Sequence, residues 1–238
     1  MTRLTGTTLT LLTLLALTGC YASGGLRGVE IVNLSEELGP VTISGTSGDS
    51  AEGQAADGEQ WRQPSLAPWA MARHDLEPGQ WTIEVQADNG GAEPARARYN
   101  LTPAAERVLW VSRDGSGVRQ GIVRMPRRNL DGCSLLVATA QGGGAVDVTV
   151  DGSSTLSGAW PGAVSEPVVV DEGASSVTVV VTATGSSTPL ATFTVPVVRP
   201  CVFQPVFIAG NTATPSSLRA VVRDGGAEPR AIVITPRR

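Results

Sequence analysis

Short apolar runs of period two, separated by turn formers, are the feature that most constrains the fold of this chain. Apolar and polar residues alternate over residues 81–85 and 146–150, which is the pattern of a strand with one buried and one wet face. Gly (28 residues) and Pro (16 residues) are frequent between such runs. No sustained helical period follows residue 19. Because β-branched runs bounded by turn formers favour sheets, we predict an all-β fold.

The runs with strand character divide between two halves of the chain. In the first half they are residues 29–32, 41–43, 81–85, 97–101, 108–111 and 121–125, and in the second they are 135–138, 146–150, 168–170, 177–182, 191–195, 202–208, 218–223 and 231–234. A chain of 238 residues that is 41% hydrophobic has enough length and apolar content for about two domains. We therefore predict two tandem antiparallel β-sandwich (immunoglobulin-like) domains, over residues 28–128 and 129–238.

The two halves also repeat each other. Residues 111–115, followed by Pro-Arg-Arg at 126–128, recur as residues 221–225, followed by Pro-Arg-Arg at 236–238. A second pair of similar segments, 77–85 and 172–180, is separated by a different offset. The Pro-Arg-Arg ends place a domain boundary near residues 126–130. Each Arg-Asp-Gly is predicted to form a hairpin turn, since Asp-Gly suits positions of positive φ. The alternative is an adhesive tripeptide.

Residues 46–73 break the strand pattern. Their first part is Gly-rich, acidic and poor in apolar residues, a composition typical of mobile segments. We predict a mobile insertion in the first domain. Trp61, Trp69 and Met71 are expected to pack back onto the sandwich.

The N-terminus has the organisation of an export signal. Arg3 precedes an apolar segment over residues 4–17, which is too short to span a membrane as a helix. It ends in Leu17-Thr18-Gly19-Cys20, which resembles the lipobox of bacterial lipoproteins. The resemblance implies a cleaved lipoprotein signal peptide over 1–19, lipidation of Cys20 and a lipidated tether over 20–27. The alternative is an ordinary signal peptide with a chance Cys.

This lipid would make the membrane a partner and place the protein in the bacterial cell envelope. Two or three acyl chains on one residue give stable anchoring. Tyr21, rather than Asp, follows the Cys. By resemblance to enterobacterial sorting rules, this favours the outer membrane or the cell surface.

Two further cysteines, Cys133 and Cys201, each open an apolar run. An even pair in an oxidising compartment predicts a disulfide. Two buried free thiols are the alternative. No Cys or His cluster has the spacing of metal ligands, so we predict no metal site.

The second half resembles a bacterial family, the domain of unknown function 4397, over about residues 133–226. The segments that carry the resemblance are 145–152, 168–170, 177–181, 187–195 and 206–210. Where that family has His-Ala and Ala-Pro near its first strand, this chain has residues 138–140 and 142–144 instead. The resemblance implies tandem β-sandwich modules of cell-surface proteins and no catalytic residues.

The residue inventory argues against an enzyme. All 18 basic residues are Arg, which excludes a P-loop, a Schiff base and a Ser-x-x-Lys site. His74 is the single histidine, and no Gly-x-Ser-x-Gly segment provides a nucleophile for it. Asp147 and Asp151 are predicted on the wet face of one strand, without a calcium-binding pattern. We predict no catalytic residues and no cofactor.

A net charge of −4 argues against nucleic-acid binding.

Tryptophan is the most informative candidate for binding. Trp81 and Trp110 lie on alternating strands and are predicted in the core, whereas Trp61, Trp69 and Trp160 lie in loop-like contexts with nearby Pro. Exposed indoles stack on sugars or anchor protein partners. Our first hypothesis is a non-catalytic structural, adhesion or protein-interaction role with an envelope protein as partner. The alternative is a carbohydrate-binding lipoprotein that contacts glycans through these three tryptophans.

Overall fold

A computed structural model describes residues 28–48, 58–101, 107–115, 117–125, 133–199, 203–224 and 228–237. Within these ranges the chain forms strands and no helix, so the predicted all-β sandwich fold is confirmed. No helix in the described part is long and apolar enough to cross a membrane. The predicted signal peptide, the tether with Cys20, and Cys201 lie outside the described residues.

The described residues up to Met125 form two four-stranded sheets. Their strands are β1 (Val29–Asn33), β2 (Val41–Ser47), β3 (Gln60–Leu66), β4 (Met71–His74), β5 (Gly79–Ala87), β6 (Ala95–Leu101), β7 (Arg107–Asp114) and β8 (Gly117–Arg124). One sheet has the order β4-β1-β7-β8 and the other β3-β2-β5-β6. We call this pair of sheets the first sandwich.

The described residues from Cys133 onwards form a second pair of sheets. Their strands are β9 (Cys133–Thr139), β10 (Val146–Val150), β11 (Ser153–Ala159), β12 (Val168–Val170), β13 (Ser176–Ala183), β14 (Pro189–Pro196), β15 (Phe203–Asn211), β16 (Thr214–Arg223) and β17 (Ala231–Ile234). The orders are β12-β9-β15-β16-β17 and β11-β10-β13-β14. This pair is the second sandwich.

Alternating side chains fill the space between the two sheets of each sandwich. In the first, Trp81 and Ile83 of β5 pack in one cluster with Leu109 of β7. In the second, Val148 of β10 and Phe193 of β14 are both fully buried. The inward positions are those that the alternation of the sequence predicts, because successive side chains of a strand point to opposite faces.

The two sandwiches share one topology. Most strand pairs are antiparallel, but β1 pairs with β7 in parallel, and β9 pairs with β15 in parallel. In both sheet orders, β1 to β8 occupy the places that β9 to β16 occupy in the second sandwich, and β17 is an addition. The mixed sheets therefore come from one repeated arrangement of eight strands.

This topology changes the equivalences read from the sequence repeat. The first Arg-Asp-Gly segment begins inside β7, at Arg113, and the second begins at Arg223, the last residue of β16. These strands are not equivalent, because β7 corresponds to β15. The other parallel does join equivalent strands, β5 and β13. Its register differs by one residue, since the buried Trp81, Ile83 and Val85 correspond to Val177, Val179 and Val181.

Residues 46–73 also differ from the sequence prediction of a mobile insertion. Residues 60–66 form β3, which pairs with β2, and residues 71–74 form β4, which pairs with β1. The sequence pattern was weak because both strands lie at sheet edges, where many side chains are exposed. Residues 49–57 lie outside the described ranges.

A third apolar cluster, which we call the interdomain core, joins the two sandwiches. From the first sandwich it contains Val32, Leu34, Val108, Trp110, Val123 and Met125, and from the second Leu136, Ala138, Ala140, Phe207, Ala209 and Val221. These side chains come from the faces of the β1 and β9 sheets that point away from their own sandwich cores. All residues of β1 and β9 are consequently buried, and the sheets stack in four layers.

An ion pair crosses this interface beside the apolar side chains. Glu30 of β1 is 3% exposed and shares the face of Val32. The Nη2 atom of Arg223, at the end of β16, lies 2.9 Å from Oε1 of Glu30. A buried carboxylate is costly unless it is paired, so this contact compensates its charge and fixes how the two sandwiches face each other.

Candidate functional site

A cavity of about 200 Å³ lies between the two sandwiches, at one end of the interdomain core. Its lining comes from both halves of the chain: Leu34, Ser35, Glu36, Glu37, Trp69, Ser112, Arg113 and Gly115 from the first, and Ala140, Gly142, Gly143, Gly210, Asn211, Ser217 and Arg219 from the second. Clefts between domains are preferred locations for ligand sites. We therefore take this cavity as the candidate functional site.

Ser112 is one of the residues that line the cavity from the first sandwich. It lies on β7 two residues after Trp110, so its side chain shares the face that packs in the interdomain core. It is 3% exposed, and its Oγ has no hydrogen-bond partner. Buried hydroxyls in folded proteins are nearly always paired. The Oγ atom itself has almost no accessible surface, so it is enclosed by protein and is not open to the cavity.

Arg113 lies at the rim of the cavity, next to Glu37. Its Nε donates to the carbonyl oxygen of Gly115 at 2.9 Å, and its Nη1 donates to the carbonyl oxygen of Glu37 at 3.3 Å. The Glu37 carboxylate is 3.9 Å from Nε. These contacts hold the guanidinium in place while leaving its side chain one-third exposed.

A second guanidinium, that of Arg219 on β16, lines the cavity from the second sandwich. Its Nη1 donates to the carbonyl oxygens of Ser216 and Leu218 at 2.7 and 2.8 Å. Two backbone bonds fix the orientation of this side chain. The cavity thus carries one positioned arginine from each sandwich.

Close backbone packing shapes the floor of the cavity at the end of β15. The backbone N–H of Gly142 donates to the carbonyl oxygen of Gly210 at 2.7 Å. Gly210 has φ +101°, and a Cβ on it would overlap the carbonyl of Ser217. Only glycine fits there. The glycines leave space that side chains would otherwise fill.

Of the three predicted ligand-binding tryptophans, Trp69 lines this cavity. It lies in the connection between β3 and β4 with φ +61°, an uncommon conformation for a bulky residue. Its backbone N–H donates to the carbonyl oxygen of Asn33 at 2.8 Å. The half-buried indole also packs against the interdomain core. This agrees with the expectation that Trp69 packs back onto the folded domain.

Trp61 lies elsewhere, on β3 against the core of the first sandwich. Its ring stacks on His74, with ring centroids 4.6 Å apart, and His74 Nε2 is 3.0 Å from Oε1 of Gln63. Burial lowers the pKa of His74, and the nearby Asp75 opposes this effect. Trp61 and His74 therefore form a packed pair that joins the edges of the two sheets.

Trp160 is the exposed member of the three, with 63% of its surface accessible. It follows β11, and its carbonyl oxygen accepts a hydrogen bond from Thr139 Oγ1 at 2.7 Å. The backbone is thus fixed while the indole projects. The three tryptophans lie in three surroundings: a sandwich core, the interdomain cavity and an exposed turn.

Asp147 and Asp151 bond to the protein itself. Asp147 Oδ1 accepts from the backbone N–H of Gly158 at 2.7 Å, and Asp151 Oδ1 accepts from that of Thr178 at 2.7 Å. The Gly158 bond is the main reason that the pKa of Asp147 is lowered. In the described part of the chain, no group of three or more His, Cys, Asp or Glu residues could hold a metal ion.

Comparisons with known proteins add little to this geometry. No protein-family model matches the sequence, and no curated protein matches it. Among solved structures, transthyretin from Sparus aurata is similar over 41% of this chain and 97% of its own length, with 11% identity and a TM-score of 0.29. A similarity of that strength carries no argument about function.

The sequence marks Trp69 as a candidate for ligand binding but does not reveal the cavity. Ser112, Glu36 and Arg219 carry no motif, and they meet only because the two sandwiches stack. One signal was available: residues 135–138 of β9 form an apolar run without alternation, which is typical of strands buried on both faces. Strand β1 lacks this signal because it contains Glu30 and Asn33.

Proposed function

We propose that the chain is an exported, lipid-anchored protein of the bacterial envelope with a non-catalytic structural, adhesion or protein-interaction role. The observation that carries the proposal is the order Leu17-Thr18-Gly19-Cys20 behind an apolar segment. Folded structure follows soon after it, since β1 begins at Val29. A rigid stack of sheets on a short tether suits a protein that presents a surface close to the membrane.

Metabolic labelling with a clickable fatty acid tests the anchor. The wild-type protein is expected to take up label, to fractionate with membranes and to lose residues 1–19, as read by mass spectrometry. Cys20→Ser should abolish labelling, and Cys133→Ser is the matched control that should retain it. An unlabelled wild-type protein that keeps residues 1–19 would contradict the proposal.

We further propose that Cys133 and Cys201 form a disulfide. Cys133 is fully buried at the start of β9. Phe203 pairs with Ser134 across the parallel strands β15 and β9. Cys201 is two residues before Phe203 in the sequence, a reach of about 7 Å at most. This proximity supports the pairing that the even cysteine count predicted.

A second candidate function is carbohydrate binding, which the tryptophans favour. Trp160 offers an exposed indole on a fixed backbone, and Trp69 lines the interdomain cavity. Aromatic rings supply a large apolar contact at low entropic cost. Titration of the protein with envelope glycans, followed by tryptophan fluorescence, should give a saturable change if this function is real. A flat response to all of them would exclude it.

A further inference from the structure

The interface between the two sandwiches has an ion pair at one end and the cavity at the other. Three side chains of β16, those of Arg219, Val221 and Arg223, share the face that points towards the first sandwich, because alternate residues of a strand lie on one face. Arg223 lies 2.9 Å from Glu30, and Val221 packs in the interdomain core. Arg219 follows on the same face and lines the cavity.

The guanidinium of Arg219 has two adjacent donor atoms without a partner. An arginine donates hydrogen bonds from Nε, Nη1 and Nη2. In Arg219, Nη1 donates to the carbonyl oxygens of Ser216 and Leu218 at 2.7 and 2.8 Å. Within the described part of the chain, Nε and Nη2 make no hydrogen bond and the side chain forms no ion pair. The Nε–Nη2 edge of a guanidinium has the geometry to bind a carboxylate through two hydrogen bonds.

On the first-sandwich side of the cavity, one of the two carboxylates is available. Glu37 lies beside Arg113, with 3.9 Å between its Oε2 and Nε of the arginine, so these two charges compensate each other. Glu36 also lines the cavity. It is exposed and forms no ion pair or side-chain hydrogen bond with any residue that the structure describes. The cavity thus has an available carboxylate on the first sandwich and an available guanidinium on the second.

We propose that this cavity binds a small zwitterion of the α-amino acid class, with its ammonium group at Glu36 and its carboxylate at Arg219. A ligand with a single charge would be attracted by one of these residues and repelled by the other. A ligand without charge would leave both residues without a counter-charge. A zwitterion satisfies both, and the inference goes beyond the lipid-anchored and carbohydrate-binding roles proposed above, neither of which it requires.

The volume and the apolar lining restrict the size of the ligand. The cavity measures about 200 Å³, which is below the roughly 300–1,000 Å³ of pockets for drug-sized molecules. Leu34, Trp69 and Ala140 provide the apolar part of the lining. An indole also offers a favourable surface to an ammonium group. A single amino acid with an apolar side chain therefore suits the cavity better than a longer peptide.

Isothermal titration of the full-length protein in detergent with alanine, leucine and phenylalanine tests the proposal. At least one of these amino acids is expected to bind at one site per chain. Its N-acetyl derivative lacks the ammonium group, and its amide derivative lacks the carboxylate. Each derivative should bind about tenfold more weakly or worse, because it loses one charge-assisted contact.

Two charge-removing variants assign each end of the ligand. Arg219→Gln should weaken binding of the free amino acid about tenfold and remove its advantage over the amide derivative. Glu36→Gln should remove the advantage of the free amino acid over the N-acetyl derivative. A general loss of structure would not produce these two different patterns, and circular dichroism checks that both variants are folded.

Arg124→Gln and Glu172→Gln are the matched controls. Both residues are exposed and neither lines the cavity, so the affinity of each variant should stay within about twofold of wild type. If no free amino acid binds to the wild-type protein, the inference fails and the two proposed functions stand. Equal binding of the free, acetylated and amidated forms would also overturn it, as would wild-type affinity in both Arg219→Gln and Glu36→Gln.

Discussion

Gly121 of β8 lies beneath the indole of Trp110 on the neighbouring strand. The two residues are direct cross-strand partners, and a Cβ on Gly121 would overlap the indole ring atoms. Trp110 is only 2% exposed and belongs to the interdomain core. The absence of a side chain at Gly121 thus makes room for the indole of Trp110.

We predict that Gly121→Ala destabilises the protein by about 1–3 kcal/mol, because the added methyl group overpacks a filled site. Urea denaturation monitored by circular dichroism measures the change. Gly144→Ala is the matched control, since no atom lies within 4 Å of a Cβ placed there, and its effect should stay within about 0.5 kcal/mol. Equal stabilities of the two variants would contradict the packing argument.

Asp147 gives a prediction for acid conditions. Its carboxylate accepts hydrogen bonds, first from the Gly158 backbone, which lowers its pKa below the ordinary 3.8. A carboxyl group whose pKa is lower in the folded state stabilises the protein at pH values above its unfolded-state pKa. This stabilisation is lost as the pH falls through the folded-state pKa. Asp147→Asn should therefore lower the Tm at pH 7. The difference in Tm between this variant and the wild type should be smaller near pH 2. Asp171→Asn, at an exposed turn, is the control.

At the scale of residues, the sequence predicted inward and outward positions well. Trp81 and Trp110 were expected in cores, and both are buried. The orphaned hydroxyl of Ser112 was beyond prediction, because a serine between Val111 and Arg113 has no pattern that marks it. Its surroundings arise from contacts across the interface, and these do not depend on local sequence.

Among the strands, the parallel pair β9 and β15 brings the start of each strand to the same edge of one sheet. It pairs Phe203, two residues after Cys201 in the sequence, with Ser134, the neighbour of Cys133. The first sandwich uses the same parallel pair, β1 and β7, and has no cysteine there. The disulfide would thus be a specialisation of the second sandwich.

We predict that reduction destabilises the second sandwich by about 4 kcal/mol, the chain-entropy estimate for a loop of this length. Peptide mapping by mass spectrometry should recover a peptide pair linked through Cys133 and Cys201 before reduction and not after. Cys133→Ser should show the same lower stability with or without reductant. Free thiols at both positions in protein purified under oxidising conditions would refute the pairing.

Elements with strong alternation could be predicted from the sequence, whereas three strands at sheet edges, β3, β4 and β11, were missed. Both β5 and β10 were expected nearly as they occur. In contrast, β3 was missed because its exposed polar residues and Pro64 resemble a loop. An edge strand has one hydrogen-bonded neighbour, so its sequence is less constrained.

For the whole molecule, the interdomain core predicts cooperative unfolding. The two sandwiches bury one sheet of each against the other, and the Glu30–Arg223 pair links them. Differential scanning calorimetry should therefore show a single transition in which the calorimetric and van't Hoff enthalpies agree. Two separated transitions would mean that the sandwiches behave independently.

Breaking the ion pair tests the same interface. Glu30→Ala leaves the Arg223 guanidinium without this partner, at a cost of about 1–3 kcal/mol for a group that is one-quarter exposed. Arg223→Met should cost more, since it leaves the better-buried Glu30 without this partner. The double variant should be more stable than the sum of the two effects implies. Strict additivity would show that the pair contributes nothing.

The stacking of the two sandwiches was the part least accessible to sequence reasoning. Tandem modules were predicted, and the sequence gives no sign of which faces meet except the apolar run over residues 135–138 of β9. The cavity is a product of that stacking, since residues from 34–37 and 210–219 line it together. A site built from two halves is invisible until their arrangement is known.

The double burial of β1 and β9 also limits how this protein can be divided. A fragment that ended after Met125 would expose Val32, Val108 and Trp110 to water as one contiguous apolar surface, and it would aggregate. Each half serves as the lid of the other. Any recombination, truncation or fusion that keeps the product soluble must carry both halves together.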